Sequence, residues 1–187
     1  MSRHVPALVL LAALLTACAT TAPAISRGRG PARAARYVQG VPFYPQEENY
    51  CGPATLASVL GYWGIPVTQA EVAREVYLDR LKGTLSIDML LYAERAGLRA
   101  RMLKGNLALL RASVDRGRPV VALLNLGSRL VPAWHYVVVV GYDDTSATLI
   151  TYSGRDRDRA YSYGAFSRAW ARAAFWALVV EPADMPG

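Results

Sequence analysis

Gln46-Glu-Glu-Asn-Tyr-Cys51-Gly-Pro-Ala-Thr-Leu-Ala-Ser-Val-Leu60 passes from a polar loop into an apolar segment, and the change of character falls at the cysteine. Ala54, Leu56, Ala57, Val59 and Leu60 recur at helical spacing and Gly61 and Gly64 stop the pattern, so a helix is expected over about 53–63. Cys51 then stands at a helix start. There the unpaired N–H groups and the helix dipole favour an anion, which predicts a thiol pKa lowered toward the reactive thiolate. The same N–H groups can hold an oxyanion, and the Gln46 amide, a few residues upstream, is a suitable second donor.

Downstream, His135 opens the apolar run Tyr136-Val-Val-Val-Val-Gly-Tyr142. A lone histidine before such a run is a packing residue; paired with Cys51, it is a general base and acid. Between and around the two, Val38–Tyr44 reads as a short edge strand ending near Pro42 and Pro45. Thr68 with Glu71 forms a capping-box pattern for a helix to about Leu78, and further helices are expected over 86–96 and 106–116. The period then changes. Strands are expected over 119–126, 136–142, 147–152, 159–163 and 175–181, with a turn at Asp143–Ser146 and a helix over 164–173. Helices first and an antiparallel sheet after them indicate an α+β fold.

The 187 residues are 53% hydrophobic and 19% charged, the composition of a chain with one ordinary core. The net charge of +7 is carried by scattered arginines with no basic stripe interleaved by aromatics, so no nucleic-acid partner is expected. A basic surface suits a protein held near anionic headgroups. No His or Cys cluster has metal-ligand spacing and no glycine-rich loop has phosphate-binding spacing, so no cofactor is expected. Glu47 and Glu48 read as a solvated turn, Arg155–Arg159 as a solvated hairpin, and Trp134 as packing or the wall of a groove.

The first 18 residues start with Arg3 and His4, continue through the apolar run Val5–Leu15 and finish in Leu15-Thr16-Ala17-Cys18. A run this short with a charged start is a secretion signal. Its last four residues resemble the bacterial lipobox, which implies lipid attachment at Cys18. With Ala19 following, that resemblance implies the cell envelope, at the outer membrane facing the periplasm. Residues 19–36 are small and polar and read as a tether, leaving 37–182 as the folded domain. Of the two cysteines, Cys51 is then a free thiol.

The combination Gln-x-x-x-x-Cys-Gly-Pro with a later His-Tyr-Val-Val-Val-x-Gly resembles the bacteriocin-processing cysteine peptidases, papain-like domains that cleave leader peptides after a double glycine. Some of their stand-alone relatives are lipoproteins. The resemblance covers about residues 38–181. It implies a papain-like α+β fold with Cys51 as nucleophile, His135 as base and Gln46 as oxyanion donor, acting on a peptide or protein substrate. The chain departs from the family in one respect. Where the strand after the histidine strand usually ends in Asp-Pro, here it ends Leu149-Ile-Thr-Tyr-Ser153-Gly154, so Ser153 is the favoured group to orient the imidazole, with Thr151, Asp156 and Asp143 as alternatives. Three functions stay open: peptide or amide hydrolysis through a thioester, acyl transfer by the same residues, and a catalytically weak module that binds a peptide or protein at the membrane.

Overall fold

Apolar runs that are short and rich in Val and Leu pair with one another, and here their pairing makes the frame that holds both ends of the site. The protein is described by a computed structural model over residues 35–185, so the leader, Cys18 and nearly all of the tether lie outside the described residues. In chain order the elements are β1 (Arg36–Tyr37), α1 (Cys51–Tyr62), α2 (Gln69–Val76), β2 (Tyr77–Leu78), β3 (Gly83–Thr84), α3 (Ser86–Arg95), β4 (Leu98–Lys104), α4 (Leu107–Asp115), β5 (Val120–Asn125), β6 (Trp134–Asp143), β7 (Thr148–Ser153), β8 (Asp156–Ser162), α5 (Tyr163–Ala171) and β9 (Trp176–Pro182).

Seven strands form one antiparallel sheet in the order β4-β9-β5-β6-β7-β8, with β1 paired to the far end of β6. β6 is buried from Tyr136 to Tyr142, as a central strand covered on both faces must be. Against it lies α1, whose residues Gly52–Leu60 are all buried and which also packs on α2 and α3. A helix enclosed on every side needs apolar or small residues all round, and Ala54, Leu56, Ala57, Val59 and Leu60 supply them. The arrangement is α+β, as the order of periods predicts.

Three local expectations are corrected. The segment 38–44 is not a strand: Val38 adds one bond, from its N–H to the Val140 carbonyl, after which the chain runs as coil past Pro42 and Pro45. Proline has no N–H to continue a ladder. The helix opened by Thr68, whose capping box forms in full, stops at Val76, because Tyr77 turns to extended backbone, packs its ring against that of Tyr50 with centroids 4.8 Å apart and starts the small β2–β3 hairpin. The third correction is β4, an edge strand between the helices expected over 86–96 and 106–116, where no element is expected, which pairs with β9 along its whole length. Arg99 and Arg101 interrupt its apolar run. Their partner is Glu181 of β9, fully buried, which accepts from Arg99 at 2.7 Å and Arg101 at 3.1 Å and pairs with Arg118 at 3.0 Å. A buried carboxylate is tolerated only with such partners.

Candidate functional site

α1 begins at Cys51 with Tyr50 before it, which supplies no side-chain cap, and with no acidic residue in the first turn. The first N–H groups are therefore free of a capping side chain. Burial raises the Cys51 thiol above its ordinary value, while the backbone N–H groups of Tyr136, Gly52 and Cys51 itself pull it down. Burial prevails. The expected lowering at the helix start is thus corrected: the dipole is present, but the sulfur lies too far from water for it to dominate.

Gly52 is required by the close approach of the β2–β3 hairpin. A methyl group there would lie 2.7 Å from Thr84 Cβ and 2.8 Å from its Oγ1. Gly52→Ala is expected to lower stability by about 1–3 kcal/mol through overpacking, read by denaturant unfolding. An unchanged midpoint would contradict the contact.

His135 is the second residue of β6, opposite Leu124 of β5. Its Nε2 lies 2.9 Å from Ser153 Oγ, and that hydroxyl, almost fully buried, lies 3.3 Å from Tyr161 OH. With Nε2 engaged, Nδ1 is the ring nitrogen left for a second partner. The N–H of Tyr136, the next residue, faces the Cys51 sulfur. His135 and the residue whose N–H meets the sulfur are thus adjacent on one strand. Burial, then the Arg159 guanidinium, hold the imidazole pKa below the usual histidine value. Thiol and imidazole accordingly rest as a neutral pair.

Ser153 reaches His135 because the β7–β8 pairing shifts register between Thr151 and Ser153, leaving Thr151, Tyr152 and Ser153 all buried in sequence. Bulges re-aim side chains in this way. The alternatives weighed for the third position are engaged elsewhere. Thr151 Oγ1 donates to the Arg159 carbonyl, exposed Asp156 pairs with Arg159 at 3.0 Å, and Asp143, at the other end of β6, accepts from Ser146 Oγ and the Thr145 N–H.

The Gln46 N–H donates to the Gly154 carbonyl at 2.9 Å, and its side-chain oxygen is buried with no hydrogen-bond partner. A methyl group on Gly154 would lie 3.8 Å from that oxygen and 4.0 Å from His135 Cε1, so the Gln46 amide and the imidazole flank one glycine, itself at φ +64. Gln46, Cys51 and His135 border a cleft of about 540 Å³ whose other walls include Leu81, Thr84 and Trp134. A second groove of about 480 Å³ also touches Gln46 and His135 and is lined by Glu47, Glu48 and Arg155. Trp134, 54% exposed, is a wall of the cleft, and the glutamates are exposed residues on its neighbour's rim. Sequence reasoning missed the β2–β3 hairpin and Thr84; two-residue strands leave no period, and the Lys82-Gly83 turn is the only cue. Among the described residues no group of three or more His, Cys, Asp or Glu could hold a metal ion, and no helix is long and apolar enough to cross a membrane.

Comparison with known proteins places this geometry. Residues 38–177 match the Peptidase_C39 like family. Among solved structures, the peptidase domain of Streptococcus ComA, a bifunctional ABC transporter of a quorum-sensing pathway, aligns at a TM-score of 0.63 and 25% identity over 76% of this chain and 99% of that one. A putative C39-like peptidase from Bacillus anthracis aligns at 0.64 and 20% identity over 79% and 98%. A double-glycine-motif protease of an AMS/PCAT transporter, solved with its leader peptide, aligns at 0.62 and 22% identity over 80% and 99%; these last two likenesses bear on the fold alone. An uncharacterized protein of Methanothermobacter thermautotrophicus is 33% identical over 105 residues, 56% of this chain and 66% of that relative, whose length the match spans by just under two thirds. The sheet with helices packed on it is the papain-like fold of these peptidase domains.

Proposed function

The chain belongs to the C39-like peptidase family, and from that premise we propose that it is a cysteine peptidase that hydrolyses a peptide or amide bond through a thioester on Cys51. His135 takes the thiol proton at Nδ1 as the sulfur attacks the carbonyl carbon. The Gln46 amide and the N–H groups at the start of α1 stabilise the oxyanion. The imidazolium then protonates the leaving amine as the C–N bond breaks. A water, deprotonated by His135, attacks the thioester carbonyl and releases the acid and the thiol. Ser153 holds the ring at Nε2 throughout and touches no reacting atom.

The observation that carries this reading is the Cys51 sulfur set against the N–H of the residue that follows His135, with the imidazole fixed from behind by Ser153. Because the pair rests neutral, proton transfer accompanies attack and does not precede it. One observation favours the second reading, a peptide-binding module with little turnover: a hydroxyl stands where a carboxylate would stabilise the imidazolium, and such a loss costs orders of magnitude in rate. Incubation with an activated peptidyl ester separates the two. Under the first reading intact-mass analysis finds one acyl group on Cys51, formed faster than on a free thiol and absent from His135→Ala. Acylation no faster than that of free N-acetylcysteine rejects the enzyme and leaves the binding module. Substrate is on either account a peptide or protein, and the lipobox at Cys18 supports a lipoprotein of the cell envelope, on the outer membrane facing the periplasm.

A further inference from the structure

The connection between β5 and β6, residues 126–133, ends in an apolar tip that the protein holds away from its own core. Leu130 is 93% exposed and Val131 74%. Such exposure is ordinary in a loose loop, but this one is pinned. Asn125, buried, accepts through Oδ1 from the N–H groups of Gly127 and Ala133, both at 3.0 Å, and donates through Nδ2 to the Ser128 carbonyl at 3.1 Å. Ser128 Oγ accepts from the N–H groups of Leu130 at 3.2 Å and Val131 at 2.9 Å. Two backbone bonds, Leu126 to Ala133 and Ser128 to Val131, close the loop, and Arg172 clamps the Asn125 carbonyl. Hydrogen bonds that could have let the tip fold back instead hold two aliphatic side chains out in water.

We propose that this tip is a bilayer-contact site, with Leu130 and Val131 entering the boundary between headgroups and acyl chains of an anionic membrane. Residues at this exposure stand proud of the surface, a convex shape that a fluid interface accepts and that a protein partner could meet only with a matching hollow. The flanking chemistry is that of an interface: Arg129 beside the tip for anionic headgroups, and Trp134, half exposed, at its shoulder. Positions 18–187 carry 20 Lys and Arg against 14 Asp and Glu, a net charge of +6, which favours approach to anionic lipid. Residues 19–35 separate Cys18 from β1, which pairs with the end of β6 away from the tip.

The test uses the chain from position 18 onward with Cys18→Ser, which removes any acyl anchor, and sucrose-loaded vesicles of phosphatidylethanolamine with about a third phosphatidylglycerol. The parent chain is expected to sediment with the vesicles, and Leu130→Ser/Val131→Ser to lose about tenfold or more of its partitioning. Leu130→Trp, which removes no apolar area, is expected to bind more tightly. Failure of the parent chain to sediment overturns the proposal. Equal sedimentation of the parent and the double variant also overturns it and leaves the tip to a protein or peptide partner. Vesicle binding is read without any peptidase assay, so this proposal and the assignment of Cys51 fail separately.

Discussion

Alanine at His135 is expected to lower kcat/KM for peptide cleavage by about 10³-fold or more, and alanine at Cys51 to bring it to the same floor. The reason lies in the resting charges. Burial holds the Cys51 thiol above its usual range in spite of three N–H groups around the sulfur, so without an acceptor for its proton almost no thiolate exists at neutral pH. A thiol with no base and a base with no thiol are equally idle. The double variant should therefore be no slower than either single one, the non-additivity of groups that act as one unit. Both substitutions remove atoms bordering the cleft, so a chain that still unfolds cooperatively should accompany the loss. A His135→Ala chain within tenfold of the parent would show that the proton leaves by another route.

The second large effect concerns Ser153. In the parent chain the imidazole must be neutral to accept a proton, and burial with the Arg159 guanidinium holds its pKa below the ordinary histidine value. Activity should therefore persist as pH falls below 6.5 and be lost only as the pH passes the depressed pKa. Ser153→Asp places a carboxylate against Nε2, stabilises the imidazolium and moves that acid limb upward by about one pH unit or more. It also favours the charged pair, so kcat/KM at neutral pH is expected to rise by about tenfold or more, the direction opposite to the loss seen when an orienting carboxylate is removed. Ser153→Ala, which frees the ring, should slow the reaction and leave the limb low. An acid limb at the same pH in all three chains would remove Ser153 from the role of positioning residue.

How much of this was legible before any coordinates can be read from single positions. The start of α1 at Cys51 follows from the change of composition there, because a run of Ala, Leu and Val at helical spacing has no other way to bury itself. The run after His135 is so uniformly Val that only a strand covered on both sides fits it. β4 escaped notice because Arg99 and Arg101 mask the buried pair Leu98 and Ala100, and the residue that makes those arginines tolerable, Glu181, is some eighty positions away. The sign of the Cys51 shift was beyond reach for a related reason. A helix start is local, but the burial that outweighs it is made by β6 and the β2–β3 hairpin, whose approach only the folded chain reveals. Gln46, Cys51, His135 and Ser153 were nameable from motif spacing; that Ser153 is the group at Nε2 depends on a register shift in β7, which spacing does not announce.

Trp134, His135 and Tyr136 are consecutive on β6, and they supply in turn a wall of the cleft, the imidazole and the amide that touches the sulfur. Neighbouring residues of a strand point to opposite faces, so the direction of the imidazole is set by parity along the strand as much as by identity. Length changes among residues 126–133 leave that parity alone, since the phase of β6 is set by its neighbours β5 and β7. Loss of one residue inside 136–139 would instead rotate the imidazole to the reverse side of the ribbon. Natural length variation in homologous chains should therefore collect in the tip and stop abruptly at Trp134.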